Sequence, residues 1–136
     1  MSAYLLTWNP KVFPFENFNK LMESVKLYGD IVSNWSVCSS KPKKGDDFYL
    51  MMVGQGKMNG LIGKGKILSE PYLLRKNGRR KYVDVSFQRL EDYKTGNVIE
   101  QTILKEVCPG QCWSPQCSGI QIKEEYASLL SHLWKN

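Results

Sequence analysis

The chain has 136 residues, 42% hydrophobic and 24% charged, and its 19 Lys+Arg against 13 Asp+Glu give a formal net charge of +6. Such a chain can bury a core without disulfide or metal support, its composition is ordinary for a globular protein, and no stretch approaches the length of a membrane-spanning helix. Met1-Ser2-Ala3-Tyr4 has neither a basic n-region nor a small-residue cleavage site, so we expect one domain over residues 1–136, cytoplasmic, with its cysteines reduced.

The first predicted strand, Ala3 to Trp8, is built from bulky and β-branched residues and stopped by Asn9-Pro10. Pro14 then opens a helix in which Phe15, Phe18, Leu21, Met22 and Val25 share a face, with Gly29 as its stop. A second strand, Ile31 to Val37, ends in Asn34-Trp35-Ser36. Lys44-Gly45-Asp46 turns the chain into Phe48–Val53, an unbroken apolar run that suits a central strand covered on both faces. Gly54 to Lys57 form another turn. The strand that follows, about Gly60 to Leu68, carries glycines at 60, 63 and 65, which imply a bulge, a bend or a close backbone approach. Asn77-Gly78 predicts a tight turn before Arg80–Leu90, where Val83, Val85 and Phe87 alternate with outward residues. Glu100 to Val107 reads as a short helix and Cys108 to Gly119 as irregular. A last helix places Ile122, Tyr126, Leu129, Leu130, Leu133 and Trp134 on one face and leaves His132 solvated. We expect an α+β fold: a curved mixed β-sheet of about five to six strands, or a small barrel, with packed helices.

Trp8 and Trp35 each close a strand beside short polar groups, an arrangement that suits two walls flanking a flat polar ligand such as a nucleobase. The plain alternative is that both are core or rim residues whose indole N–H finds a backbone partner. The cations are clustered. Lys11 follows Trp8; Lys41, Lys43 and Lys44 surround Pro42; Lys57, Lys64 and Lys66 lie in a Gly-rich stretch; Arg79 and Arg80 follow Asn77-Gly78. Clusters of this kind joined to aromatics are what phosphate contact and base stacking require.

Catalytic signals are missing. Gly60 to Lys66 satisfies Gly-x-x-x-x-Gly-Lys, but Ile67 stands where Mg²⁺ coordination needs a hydroxyl, and the segment continues as a strand. Cys108, Cys112 and Cys117 lack a Cys-x-x-Cys knuckle, which argues for free, mostly buried thiols over a zinc site. His132, the only histidine, has no evident nucleophile or carboxylate partner. We therefore expect no enzyme, cofactor or metal. Gln116 and Ser118, in the loop after Trp113, are suited to hydrogen-bonding a ligand edge.

Trp8-Asn9-Pro10-Lys11, Asn34-Trp35-Ser36, Lys44-Gly45-Asp46-Asp47-Phe48-Tyr49-Leu50, Gly60-Leu61-Ile62-Gly63-Lys64-Gly65 and the segment Trp113 to Ile120 together resemble the EVE domain of the PUA-like superfamily. They are most similar to the EVE-like modules that precede HNH nuclease domains in modification-dependent restriction enzymes. Val37-Cys38 departs from the small residue and Gly that relatives carry after the second Trp motif. The resemblance implies a PUA-like pseudo-barrel and a pocket for a flipped base such as 5-methylcytosine. Trp8 and Asn9 would form one side of it, Trp35 and Ser36 another, and Gln116 and Ser118 a third. It also implies a non-catalytic nucleic-acid-binding module whose backbone contacts come from Lys11, Lys41, Lys43, Lys57, Lys64, Lys66, Arg79 and Arg80, with any cutting left to a separate nuclease partner. An RNA-binding module with the same pocket, or a small-molecule or peptide sensor, are the alternatives; a flat salt dependence of binding would favour the sensor.

Overall fold

The computed structural model describes residues 2–74, 78–113, 115 and 118–134. Its centre is the strand β3 (Asp47–Met52), which pairs in parallel with β1 (Ala3–Trp8) and antiparallel with β4 (Gly60–Ile67). Alternate side chains of β3 enter two separate cores. Phe48, Leu50 and Met52 join one, Tyr49 and Met51 the other, so the apolar run is covered on both faces as expected.

The first core is closed by α1 (Phe15–Tyr28), whose Phe18, Met22 and Val25 are buried. Pro14, with its fixed φ, stands at the helix entry. Gly29, at φ +80°, ends the helix by donating its N–H to the Val25 carbonyl. The second core is closed by α2 (Gln101–Val107) and α3 (Glu124–Leu133) through Leu104, Leu130 and Trp134. His132 is exposed, as expected. Ile122 belongs to a strand, not to the last helix, which starts at Glu124.

The remaining strands are β2 (Ile31–Val37), β5 (Tyr72–Leu73), β6 (Lys81–Leu90), β7 (Ile99–Glu100) and β8 (Ile120–Ile122). They complete an eight-stranded mixed sheet of order β2-β6-β4-β3-β1-β8, with β5 paired to β6 and β7 to β4. The α+β expectation holds. The strand count does not, because β5, β7 and β8 are two or three residues long and too short to show a period. The pseudo-barrel is also corrected, since no backbone ladder among the described residues joins β2 to β1 or β8.

The β4 glycines are explained by close approach. A Cβ on Gly65 would stand 1.9 Å from the Ser86 carbonyl oxygen, and one on Gly63 would stand 2.6 Å from Leu90 Cδ2. The register slips beside each, between Lys64 and Gly65 on the β6 side and between Leu50 and Met51 on the β3 side. Strand β4, continuing without a helix, also removes the phosphate-loop reading of this segment.

The end of α3 is tied to the sheet by one polar network. Arg89 Nε bonds Glu91 at 2.8 Å, its Nη1 donates to the Trp134 carbonyl at 3.0 Å, and its guanidinium lies 4.8 Å from the Trp134 ring centre. Burial pushes the Glu91 carboxyl up, but hydrogen bonds from Arg89 and from the Asn97 N–H, with the charges of Arg89 and Lys26, outweigh it and hold the group below the usual 4.5. A carboxyl depressed on folding stabilises fully above its unfolded value and loses that stabilisation as pH falls through the folded one. Glu91→Gln should therefore flatten the fall of stability in acid, read from denaturant midpoints at stepwise lower pH. Parallel profiles for variant and parent would refute the assignment.

Candidate functional site

The two indoles of the strand-end motifs have different settings. Trp8 is fully buried; Phe18 stacks on its ring at 4.1 Å and 11°, Phe15 meets it edge-on at 5.5 Å, and its Nε1 donates to the Phe13 carbonyl at 2.5 Å. Phe18 thus covers one face of the Trp8 ring, and the side chain has no exposed surface in this structure. Trp35 is 9% exposed, and its neighbours Phe13 and Phe87 meet it edge-on, at 5.3 and 5.6 Å, with neither stacked parallel to it.

Trp35 helps close a seam. Its Nε1 donates to the Thr7 carbonyl at 2.8 Å, while the Thr7 N–H donates to Ser118 Oγ at 3.1 Å. Both backbone groups of Thr7, on the outer edge of β1 beyond β8, are thus satisfied by side chains in place of a ladder. The Cys38 N–H reaches the Ser118 carbonyl at 2.9 Å and fixes the end of β2 to the same loop.

The seam opens into a cavity of about 890 Å³ between the end of β1 and strand β2. Trp8, Asn9, Trp35, Ser36 and Ser118 line it, and so do Arg79, Arg80 and Lys81. No carboxylate is among the described residues that line it. The register of β2 on β6, with Val37 opposite Lys81, carries the basic run to the cavity.

Along the cavity runs the outer edge of β2, which has no strand partner among the described residues. The Leu68 N–H donates to the Asp84 carbonyl at 2.8 Å, and the Asp84 N–H donates to Ser69 Oγ at 3.0 Å. Asp84 therefore turns its backbone groups away from β2. Asn34 faces Asp84 across the ladder, so the N–H and C=O of Asn34, and by alternation those of Ser36, point to the free edge of β2. The Asp84 carboxylate accepts the Tyr72 hydroxyl at 2.5 Å, and that hydrogen bond, with burial and the carboxylate charge, pushes the Tyr72 phenol up to about 12.

Other expected residues lie elsewhere. Asn9 accepts the Lys11 N–H at 3.0 Å through Oδ1, so its carboxamide holds the turn at the cavity rim, with exposed Lys11 beside it. Lys41 and Lys43 are exposed on the loop after Cys38, which Lys81 Nζ ties back through Ser40 Oγ. Lys57 is exposed on the 3-10 turn Gly56–Met58, outside the lining. Lys64 and Lys66, on β4, are also outside it, and Lys66 is ion-paired with Asp47. Gln116 lies outside the described residues, as do Cys117 and Asn77 of the expected turn. Thr7 and Tyr82 line the cavity without having been singled out from sequence; only the pairing of β2 with β6 would have pointed to Tyr82.

Cysteine expectations need correction as well. Cys38 is exposed and disulfide-bonded, and Cys112 is free but exposed. Cys108 is free and buried, and burial pushes its thiol up. Among the described residues, no group of three or more His, Cys, Asp or Glu side chains is placed to hold a metal ion, and no helix is long and apolar enough to cross a membrane.

Neither a family model nor a curated protein matches the chain. Solved structures do. Rpa0253 from Rhodopseudomonas palustris aligns with a TM-score of 0.63 at 13% identity, over 98% of this chain and 92% of that one. PSPTO5229 from Pseudomonas syringae aligns at 0.60 and 16% identity, over 96% and 99%. The human THYN1 protein, solved in complex with 5-methylcytosine containing DNA, aligns at 0.60 and 15% identity, over 100% of this chain and 99% of that one. At these identities the likeness establishes a shared fold along the whole chain.

Proposed function

We propose that the protein is a non-catalytic nucleic-acid-binding module of the EVE type, which accepts a flipped, modified base of the 5-methylcytosine kind in the seam cavity. The observation that carries the reading is the cavity itself: among the described residues, a recess bordered by Arg79, Arg80 and Lys81, by no carboxylate and by the outer edge of β2. Its volume, about 890 Å³, falls in the range of about 300–1,000 Å³ usual for small-ligand sites. The fold shared with a protein solved on 5-methylcytosine containing DNA supports the same reading. A separate nuclease partner, which the sequence resemblance implies, has no counterpart in these observations and is left out of the proposal.

In this reading Arg79, Arg80 and Lys81 hold the backbone at the mouth, and the extruded base lies against Trp35. The free-edge groups of Asn34 and Ser36 supply donors and acceptors for the base edge. Flipping costs a few kcal/mol and is offset by stacking of about 1–3 kcal/mol and by edge hydrogen bonds. The test is fluorescence binding to matched DNA and RNA oligonucleotides, with and without modified cytosine or adenine. Trp35→Ala should lower affinity for the preferred modified base by about 1–3 kcal/mol while leaving weak, salt-sensitive binding to unmodified strands. Melting curves on Trp35→Ala and Trp35→Phe control for the loss of the Thr7 bond. Equal affinity for modified and unmodified strands, or a Trp35→Ala variant that melts normally and binds normally, would sink the proposal.

A further inference from the structure

A second recess, of about 350 Å³, opens on the opposite face of the sheet, between the first residues of β1 and β3 and the helix α3. Asp47, Tyr49, Glu124, Ser128 and Ser131 stand in its wall. Tyr49 is 6% exposed, and its ring lies 6.4 Å from that of Trp134. Its hydroxyl has no hydrogen-bond partner among the described residues. Every fully enclosed side-chain nitrogen or oxygen in those residues does have one. The Tyr49 hydroxyl is therefore not fully enclosed, and Tyr49 is one of the residues that line this recess.

The wall is rich in acceptors. Asp47 is ion-paired with Lys66 through Oδ1, and Glu124 is exposed with no ion pair among the described residues. Burial, and then the charge of Asp47, push the Tyr49 phenol up, so the group stays neutral. An anion would meet two carboxylates. A divalent cation would lack a cluster of ligands, since no group of three or more His, Cys, Asp or Glu side chains is placed to hold one among the described residues.

We infer that this recess binds a primary alkylammonium group, through the carboxylates of Asp47 and Glu124 and the hydroxyl of Tyr49. An ammonium has three N–H donors and no acceptor, which matches a wall of oxygen acceptors. Its alkyl stem would run beside Ala3 and Ala127, much as a lysine stem lies along apolar surface. The group has two sources, a free alkyl diamine or the lysine side chain of a peptide. Neither depends on the cavity across the sheet.

The experiment uses the full chain, isotope-labelled and followed by amide chemical shifts. Putrescine is the free-amine probe and Nα-acetyl-lysine methylamide the peptide-like one; the Nε-acetylated form of the latter and sodium chloride at matched ionic strength are controls. Saturable shifts centred on Tyr49, Ala127 and Ser128, absent with both controls, are the expected result. Response to putrescine alone assigns the site to free amines, and response to both extends it to lysine side chains. Tyr49→Phe keeps the ring and should weaken binding about threefold to tenfold, as should Glu124→Gln; melting curves confirm that both are folded. No localised shift, an equal response to the acetylated control, or unchanged affinity in folded Tyr49→Phe overturns the inference.

Discussion

Trp8→Ala should lose about 3–5 kcal/mol of folding stability, the usual cost of removing a buried aromatic side chain. Trp8 is fully buried, with Phe18 stacked on it and Phe15 and Tyr93 against it, at 5.5 and 6.0 Å. The truncation would leave a hole between β1, α1 and the loop after β6, where rings from three separate segments converge. It would also leave the Phe13 carbonyl without its indole donor. Folded stabilities are commonly about 5–15 kcal/mol, so a loss of this size lowers the melting temperature by many degrees. The measurement is a thermal or denaturant melt, with binding assayed only where the variant is folded. A variant that melts like the parent but binds the modified base weakly would restore Trp8 as a ligand wall and overturn the core assignment.

Charge reversal at Arg79 and Arg80 should have the largest effect on binding. Each phosphate contact contributes about −0.9 to the slope of log K against log salt, so losing two should reduce the slope by about 2. Affinity at low salt should fall by about tenfold to a hundredfold for modified and unmodified strands alike, because backbone contacts carry no base information. Both arginines are exposed and line the cavity, so the substitutions remove charge without opening a core. Lys64→Gln with Lys66→Gln is the informative comparison. Those lysines are outside the cavity lining, and Lys66 is already engaged by Asp47. Their replacement should change the slope little. The opposite ranking of the two pairs would move the nucleic-acid path to β4.

The contrast between these two pairs shows what the residue string can carry. Helix α1 is legible because its stripe from Phe15 to Val25 repeats at helical spacing between Pro14 and Gly29. Strand β3 is legible because a short unbroken apolar run flanked by turn residues admits few other placements. The β4 glycines announce close approach, though not that Ser86 is the neighbour. The site is harder, because it depends on pairings distant in sequence. Thr7 meets Trp35 and Ser118 only once β2 has crossed to the open edge of β1, and Arg79 and Arg80 reach the cavity only through the β2–β6 register. The burial of Trp8 required Tyr93, a residue remote in the chain, to come to its ring. The strand-end motifs alone do not say which of the two rings is enclosed.

The Thr7 amide has a use that follows from its capping. Its N–H is held by a serine hydroxyl from the loop before β8 and not by a neighbouring strand, whereas the backbone of Leu5, two residues earlier, accepts from Gly119 and pairs with β8. Lifting that loop would expose the Thr7 proton to solvent exchange while β3 and its partners stay intact. Deuterium uptake at Thr7, compared with uptake at Leu50, therefore separates local opening of the seam from global unfolding. A ligand that fills the cavity by fastening the loop should slow the first and leave the second almost untouched.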